Sequence, residues 1–276
     1  MQKHRIGRDE VVSALRRAVE PLEFALAMWE GGAAAFDRVD EWSDLDLQVL
    51  CEDGRVEDVL AAARDALEAL GPLDVELRFP EPTWHGHSQV LWRLRDASPF
   101  LIVDFVVMEK GTERDRLLQP EVHGRARVHF ARGDHLTVPP LDARAHAAML
   151  RGRVARYRGI SRLWQSFVRK EIERGNAVEA VSYYQSMVLR GLVELLRIRH
   201  SPLRHNFHTR YVHYELPADV SEKLETLFYV ADAEEVGGKC DEAVAWADDL
   251  LDELGDGPDE STIAEAIRAE IRGSGS

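Results

Sequence analysis

The chain has 276 residues, 45% of them apolar, with 35 basic and 49 acidic side chains and a formal net charge of -14. That length suits one large domain or two ordinary ones, with enough apolar material for a sizeable core. The negative balance disfavours non-specific nucleic-acid binding, which needs a large positive surface. No apolar run approaches the length of a membrane span, and Met1-Gln2-Lys3-His4-Arg5 leads into no apolar h-region. Cys51 and Cys240 have no CxxC spacing, so free thiols in a cytoplasmic protein are expected.

The charge is unevenly spread. Residues 1–143 hold 17 basic and 27 acidic side chains, residues 144–214 hold 14 and 4, and residues 215–276 hold 4 and 18. A basic block thus lies between two acidic ones. It suits either a triphosphate held opposite an acidic site or simple pairing with the acidic C-terminal stretch.

In chain order, Asp9 can cap a helix through about Val19, which stops near Pro21. Leu22 to Trp29 reads as a buried strand ended by Gly31-Gly32, and Ala33 to Trp42 as a turn with a short helix. Leu45 to Cys51 reads as a strand. Asp53 is placed to cap a helix with Val56, Val59, Leu60, Ala63, Leu67 and Leu70 on one face, stopped by Gly71-Pro72. Further strands are predicted at Leu73–Phe79, Gln89–Leu94 and Pro99–Met108. After Val138-Pro139-Pro140 strand signals vanish. Helices are predicted around Leu150 to Val168 and Val181 to Leu195. Others begin at Asp219, Asp241 and Ser261, with an irregular segment from Ser201 to Pro217 and a disordered tail at Gly273–Ser276. The pattern predicts an α/β mixed-sheet domain over 1–138 followed by an all-α helical bundle over 141–276.

The chemistry concentrates in Ser43-Asp44-Leu45-Asp46-Leu47-Gln48. Alternation along a strand puts Asp44, Asp46 and Gln48 on one face. Two adjacent carboxylates in a buried setting repel and are costly without a cation, and Mg²⁺ is suited to carboxylate and phosphate oxygens. Asp104 is the only charge in Phe100–Val107. With Asp44 and Asp46 it makes three acids projecting from one sheet, the donor set of a two-metal phosphoryl-transfer site.

Gly31-Gly32, an eleven-residue gap, Asp44-Leu45-Asp46 between apolar residues, and Asp104 on a later strand together resemble the polymerase-beta-like nucleotidyltransferase superfamily. An α/β half followed by a helical half resembles its bacterial aminoglycoside and lincosamide nucleotidyltransferase branch. The motif resemblance covers about residues 22–108. It implies that Asp44, Asp46 and Asp104 bind Mg²⁺, two ions in all, and that ATP or another nucleoside triphosphate is the donor substrate. Gly31 and Gly32 would admit the triphosphate to the backbone, having no Cβ in the way. Ser43 would bind phosphate or cap the turn, and Arg38 would lie near the nucleotide or in solvent. The general base is Asp104 or Glu76. Arg169, Lys170, Arg204, His205, His208 and Arg210 are candidates for the γ-phosphate, Tyr183 and Tyr184 for stacking, and the loop carrying Trp84, His85 and His87 for contact with the acceptor.

The expected activity is transfer of a nucleoside monophosphate, AMP from ATP, to a hydroxyl of a small molecule such as an antibiotic, with release of pyrophosphate. The expected state is monomer or homodimer, with neither membrane nor nucleic acid as partner. The rival readings are a non-catalytic or antitoxin-like binding module and a transferase that modifies proteins.

Overall fold

The computed structural model describes residues 5–112 and 116–273. Of the N-terminal basic stretch Met1–Arg5 and the expected tail Gly273–Ser276, residues 1–4 and 274–276 lie outside the described residues, and Gly273 closes the last helix. The chain divides into two compact units, residues 1–140 and 141–276. Among the described residues no helix is long and apolar enough to cross a membrane.

The first unit runs α1 (Arg8–Val19), β1 (Ala25–Glu30), α2 (Gly32–Ala35), β2 (Leu45–Cys51), α3 (Val56–Leu70), β3 (Leu73–Arg78), β4 (Ser88–Leu94), β5 (Ile102–Glu109), α4 (Pro120–His123) and β6 (Arg127–Ala131). The strands form one sheet in the order β3-β4-β5-β2-β1-β6. β2 and β5 are parallel and the other neighbouring pairs antiparallel, so the sheet is mixed, as expected.

Alternation gives the two sheet faces different roles. One face carries Leu45, Leu47 and Val49 of β2, Val103, Phe105 and Val107 of β5, and Val90 and Trp92 of β4. It packs on Val11, Leu15 and Val19 of α1 and on Val59, Ala63 and Leu67 of α3. The other face is apolar toward one end, where Trp29, Leu50, Val106 and Met108 meet Leu118. Toward the other end it carries Asp46 and Asp104. The burial of β2 and β5 on both faces explains why they read as nearly continuous apolar runs.

Several expectations are corrected locally. The first strand begins at Ala25 rather than Leu22, because residues 20–24 turn between α1 and the sheet. Asp53 does not cap α3; its carboxylate accepts from the Gly111 backbone N–H at 2.8 Å. The strand β6 has no counterpart in the sequence reading. It is a short edge strand of alternating basic and apolar residues, a pattern that keeps an edge from pairing with other chains and hides it from periodicity. Arg132 latches it in place by donating to the carbonyls of Leu22 and Ala25 at 2.5 and 2.6 Å.

The second unit contains no strand among its described residues. Its helices are α5 (Ala143–Glu173), α6 (Ala177–Tyr183), α7 (Arg190–His200), α8 (Val212–Glu215), α9 (Ala218–Phe228), α10 (Ala233–Leu254) and α11 (Glu260–Gly273). Asp142 caps α5 by accepting from Ala145 N–H at 3.0 Å. One turn of π-helix, Tyr184–Leu189, joins α6 to α7 inside what the spacing predicts as one uninterrupted helix. α10 starts eight residues before the predicted Asp241, because Asp232 caps it by accepting from Glu234 and Glu235 N–H. Leu150, Val154, Leu192, Leu196, Val236 and Val244 share one apolar core. The irregular segment 201–216 is held by a buried cation: Arg197 pairs with Glu215 at 2.7 Å and donates to the carbonyls of His208 and Arg210. Arg204 pairs with the same Glu215 at 2.9 Å. A charge as deep as Arg197 is tolerated because its donors are matched in this way.

Candidate functional site

The site is organised by a register. Asp46 on β2 and Asp104 on β5 are paired positions of neighbouring parallel strands, so their side chains leave the same face side by side. Both are half-buried. Two like charges at this spacing cost free energy that a cation would recover. Asp44 is not on the strand: it lies one residue before β2 and is exposed. The strict alternation expected for Asp44 and Asp46 therefore holds only from Leu45 onward.

The turn after β1 is shaped to receive Asp46. Gly31 N–H donates to the Asp46 carbonyl at 3.0 Å, which continues the β1–β2 ladder to the turn. Gly32 has φ +52, and a Cβ built there would fall 1.6 Å from Asp46 Oδ2. The glycine therefore serves the aspartate directly. A Cβ on Gly31 would come within 3.2 Å of Gln48 Oε1, the next residue along the same face of β2.

Glu30, at the end of β1, is the acid that sequence reasoning missed. It is 1% exposed. Arg8 donates to it at 2.5 Å and also to the backbone carbonyl of Asp44, bracketing the segment that enters β2. His129 of β6 lies 3.4 Å from its other oxygen. Burial pushes the Glu30 carboxyl up, but the bonds from His129 and Arg8 outweigh burial and hold it below the usual range. The available signal was a lone acid closing an apolar run directly before the glycine pair.

Gln89 is a second residue the sequence did not flag. It follows Ser88 at the start of β4, and its Nε2 donates to both Asp104 oxygens, at 2.8 and 3.0 Å. His85 Nε2 lies 3.2 Å from Gln89 Oε1. The loop that carries His85 also exposes Trp84, whose indole packs edge-on against the imidazole with ring centroids 5.0 Å apart.

The other expected residues are placed as follows. Glu76 is not brought to the aspartates. It pairs across the sheet with Trp92, so it faces α3, on the opposite side from Asp46 and Asp104. There it accepts from Arg64 at 2.9 Å and from Trp92 Nε1 at 3.2 Å, and the Arg64 bond holds its carboxyl below the usual range. Ser43 closes a turn: its hydroxyl accepts from Asp40 N–H at 2.9 Å and donates to the Asp40 carboxylate at 2.7 Å. Arg38 lies over the Phe36 ring at 5.0 Å. In the second unit, Lys170 contacts Glu171 at 3.2 Å and the Phe167 ring, and the guanidinium of Arg210 lies over Tyr211. Tyr184 is core, its hydroxyl donating to the Leu227 carbonyl at 2.8 Å. Arg169 pairs with Asp241 at 2.7 Å, the basic-to-acidic pairing allowed for in the charge pattern.

Among the described residues, no three His, Cys, Asp or Glu side chains are gathered closely enough to hold a metal ion. The pair Asp46–Asp104 offers hard oxygen donors alone, a chemistry that matches Mg²⁺ and not a soft ion.

No protein-family model matches the chain. No curated protein matches it either. Among solved structures it is similar to the crystal structure of an aminoglycoside 6-adenyltransferase from Bacillus subtilis, over 96% of this chain and 99% of that one, with 13% sequence identity and a TM-score of 0.35.

Proposed function

We propose that the first unit is a Mg²⁺-dependent nucleotidyltransferase that moves a nucleoside monophosphate, AMP from ATP, onto a hydroxyl of a small molecule and releases pyrophosphate. The observation that supports it is the register pairing of Asp46 with Asp104 on the sheet face that α1 and α3 leave uncovered. In this reading Asp46 and Asp104 hold the cation, with Asp44 supplying an exposed third carboxylate at the entrance. Mg²⁺ when bound would neutralise phosphate charge.

The chain's own groups do the rest. Asp104 accepts the proton of the acceptor hydroxyl, since Glu76 is on the other face. Gly31 and Gly32 act through Asp46 rather than by opening the backbone to phosphate: the missing Cβ of Gly32 leaves room for its carboxylate, and Gly31 N–H holds its carbonyl. The exposed Trp84 gives a ring of the acceptor a surface to stack on. Ser43 acts through the turn it closes and Arg38 stands beside the entering nucleotide. The second unit, with one apolar core shared by its helices, is read as a helical bundle.

The deciding experiment is pyrophosphate release from ATP with Mg²⁺ in the presence of candidate acceptors, with labelled nucleotide followed into small or large products. Release that disappears in Asp46→Asn and Asp104→Asn supports the enzyme. Nucleotide binding without release would favour a non-catalytic module, and label in protein would favour a protein acceptor.

A further inference from the structure

The loop between β3 and β4 builds a hydrogen-bonded path that ends on Asp104. The backbone N–H of His87 points at His85 Nδ1, 3.1 Å away. A backbone amide can only donate, so this contact favours Nδ1 as an acceptor and the ring hydrogen on Nε2, while the Thr83 hydroxyl lies 3.2 Å from the same nitrogen. That hydrogen is donated to Gln89 Oε1 at 3.2 Å. An amide whose oxygen is engaged on one side must present its NH₂ on the other, and the Gln89 NH₂ spans both oxygens of Asp104. Were the amide reversed, its oxygen would face the carboxylate, acceptor against acceptor.

The surroundings lock the path. Thr83 donates its hydroxyl hydrogen to the His87 carbonyl at 2.5 Å and accepts from Gly86 N–H at 3.1 Å, which closes the loop under the imidazole. Ser88 donates to Glu81 at 2.7 Å and fixes where β4 begins. His85 and His87 are 8% and 4% exposed, so water does not compete for these bonds. Stacking of the two imidazoles, centroids 5.4 Å apart, removes further freedom.

We propose that His85 and Gln89 are positioning residues for Asp104. His85 sets the direction of the Gln89 amide, and the amide sets the plane of the Asp104 carboxylate and so the oxygens it offers. This deepens the proposed transferase and rests on it for its effect on turnover. The amide also stands beside Asp104 as a neutral donor that offsets part of the repulsion from Asp46.

The test compares His85→Ala, Gln89→Leu and His85→Gln. Glutamine at 85 can place an N–H donor where Nε2 now sits, whereas alanine cannot. With ¹⁵N-labelled histidine, long-range ¹H–¹⁵N spectra of the whole chain are expected to show His85 as the Nε2–H tautomer, and Gln89→Leu is expected to shift that signal. Mn²⁺ binding without nucleotide is expected to weaken about tenfold in His85→Ala and Gln89→Leu, and kcat to fall about tenfold with the KM for ATP unchanged. His85→Gln is expected to recover most of both. An Nδ1–H tautomer, or equal behaviour of His85→Ala and His85→Gln in Mn²⁺ binding, would overturn the positioning role. If the wild type transfers nothing but the tautomer and its dependence on Gln89 are found, the positioning of Asp104 stands and the transferase reading falls. If the wild type transfers and all three variants match it, the positioning role alone falls.

Discussion

The carboxylate of Asp46 lies where a Cβ on Gly32 would have to be, with Oδ2 1.6 Å and Cγ 2.5 Å from that position. The glycine and the first strand acid of the site are thus one structural unit, fourteen positions apart in sequence. Gly32→Ala faces both that collision and a φ of +52, and left-handed backbone alone costs a non-glycine residue roughly 1–2 kcal/mol. Denaturant unfolding is expected to show at least that loss, together with loss of transfer. Gly54→Ala is the control: its φ of +75 is as strained, but nothing lies within 4 Å of its Cβ. It should lose stability and keep transfer.

Asp46→Asn and Asp104→Asn each remove one of two adjacent like charges while keeping shape. In EDTA Asp46→Asn is expected to match or exceed wild-type stability, by up to about 1 kcal/mol, whereas Asp104→Asn also loses one acceptor for the Gln89 NH₂ and gains less. Transfer should fall at least a hundredfold, roughly the lower range for loss of a proton-accepting group. Added Mg²⁺ should raise the melting temperature of the wild type and leave the variants unmoved, because only a ligand of the folded state stabilises it. Thermal scans with and without Mg²⁺ decide the point.

Glu76 faces α3, so Glu76→Gln is expected to leave transfer within about twofold. Its exposed bond to Arg64 is of the kind worth under about 1 kcal/mol. Steady-state kinetics of this variant separate the two candidate bases directly: a loss comparable to that of Asp104→Asn would return Glu76 to the site.

Acid sensitivity of the second unit should involve His205. Burial, followed by the nearby Arg153, lowers its pKa to about 4 from 6.5. The folded pKa is below the unfolded one, so between these values the unfolded chain binds the proton and the folded chain does not. Stability is therefore full above about pH 6.5 and declines as pH falls toward 4, by a few kcal/mol at most. Urea unfolding across that range should show the decline, and His205→Asn should flatten it.

The glycine pair, Asp46 on its strand, Asp104 and the change from strands to helices near Pro139-Pro140 are legible in the chain because each is a local signal. Each combines a breaker, a period and an acid where an apolar residue is expected. Glu76 shows the limit of that reasoning. Its alternation with Val75 and Leu77 says that it shares a face with something, and only the pairing of Glu76 with Trp92 says which face. Gln89 and His85 were invisible as a pair for a similar reason. Neither residue type is unusual in a strand or a loop, and their meaning comes from two hydrogen bonds that end on a residue fifteen positions away.

By itself, then, the sequence determined which residues are acids on buried strands and where the backbone must be glycine. Those are properties of side-chain period and φ that need no partner. Tertiary structure alone decided that Asp46 stands beside Asp104, that Asp44 falls outside the strand, that Glu30 pairs with Arg8 and lies beside His129, and that Glu76 faces the helices. The reason is register: parallel pairing of β2 with β5 aligns positions 58 residues apart, and a shift of one residue would turn Asp104 into the core instead.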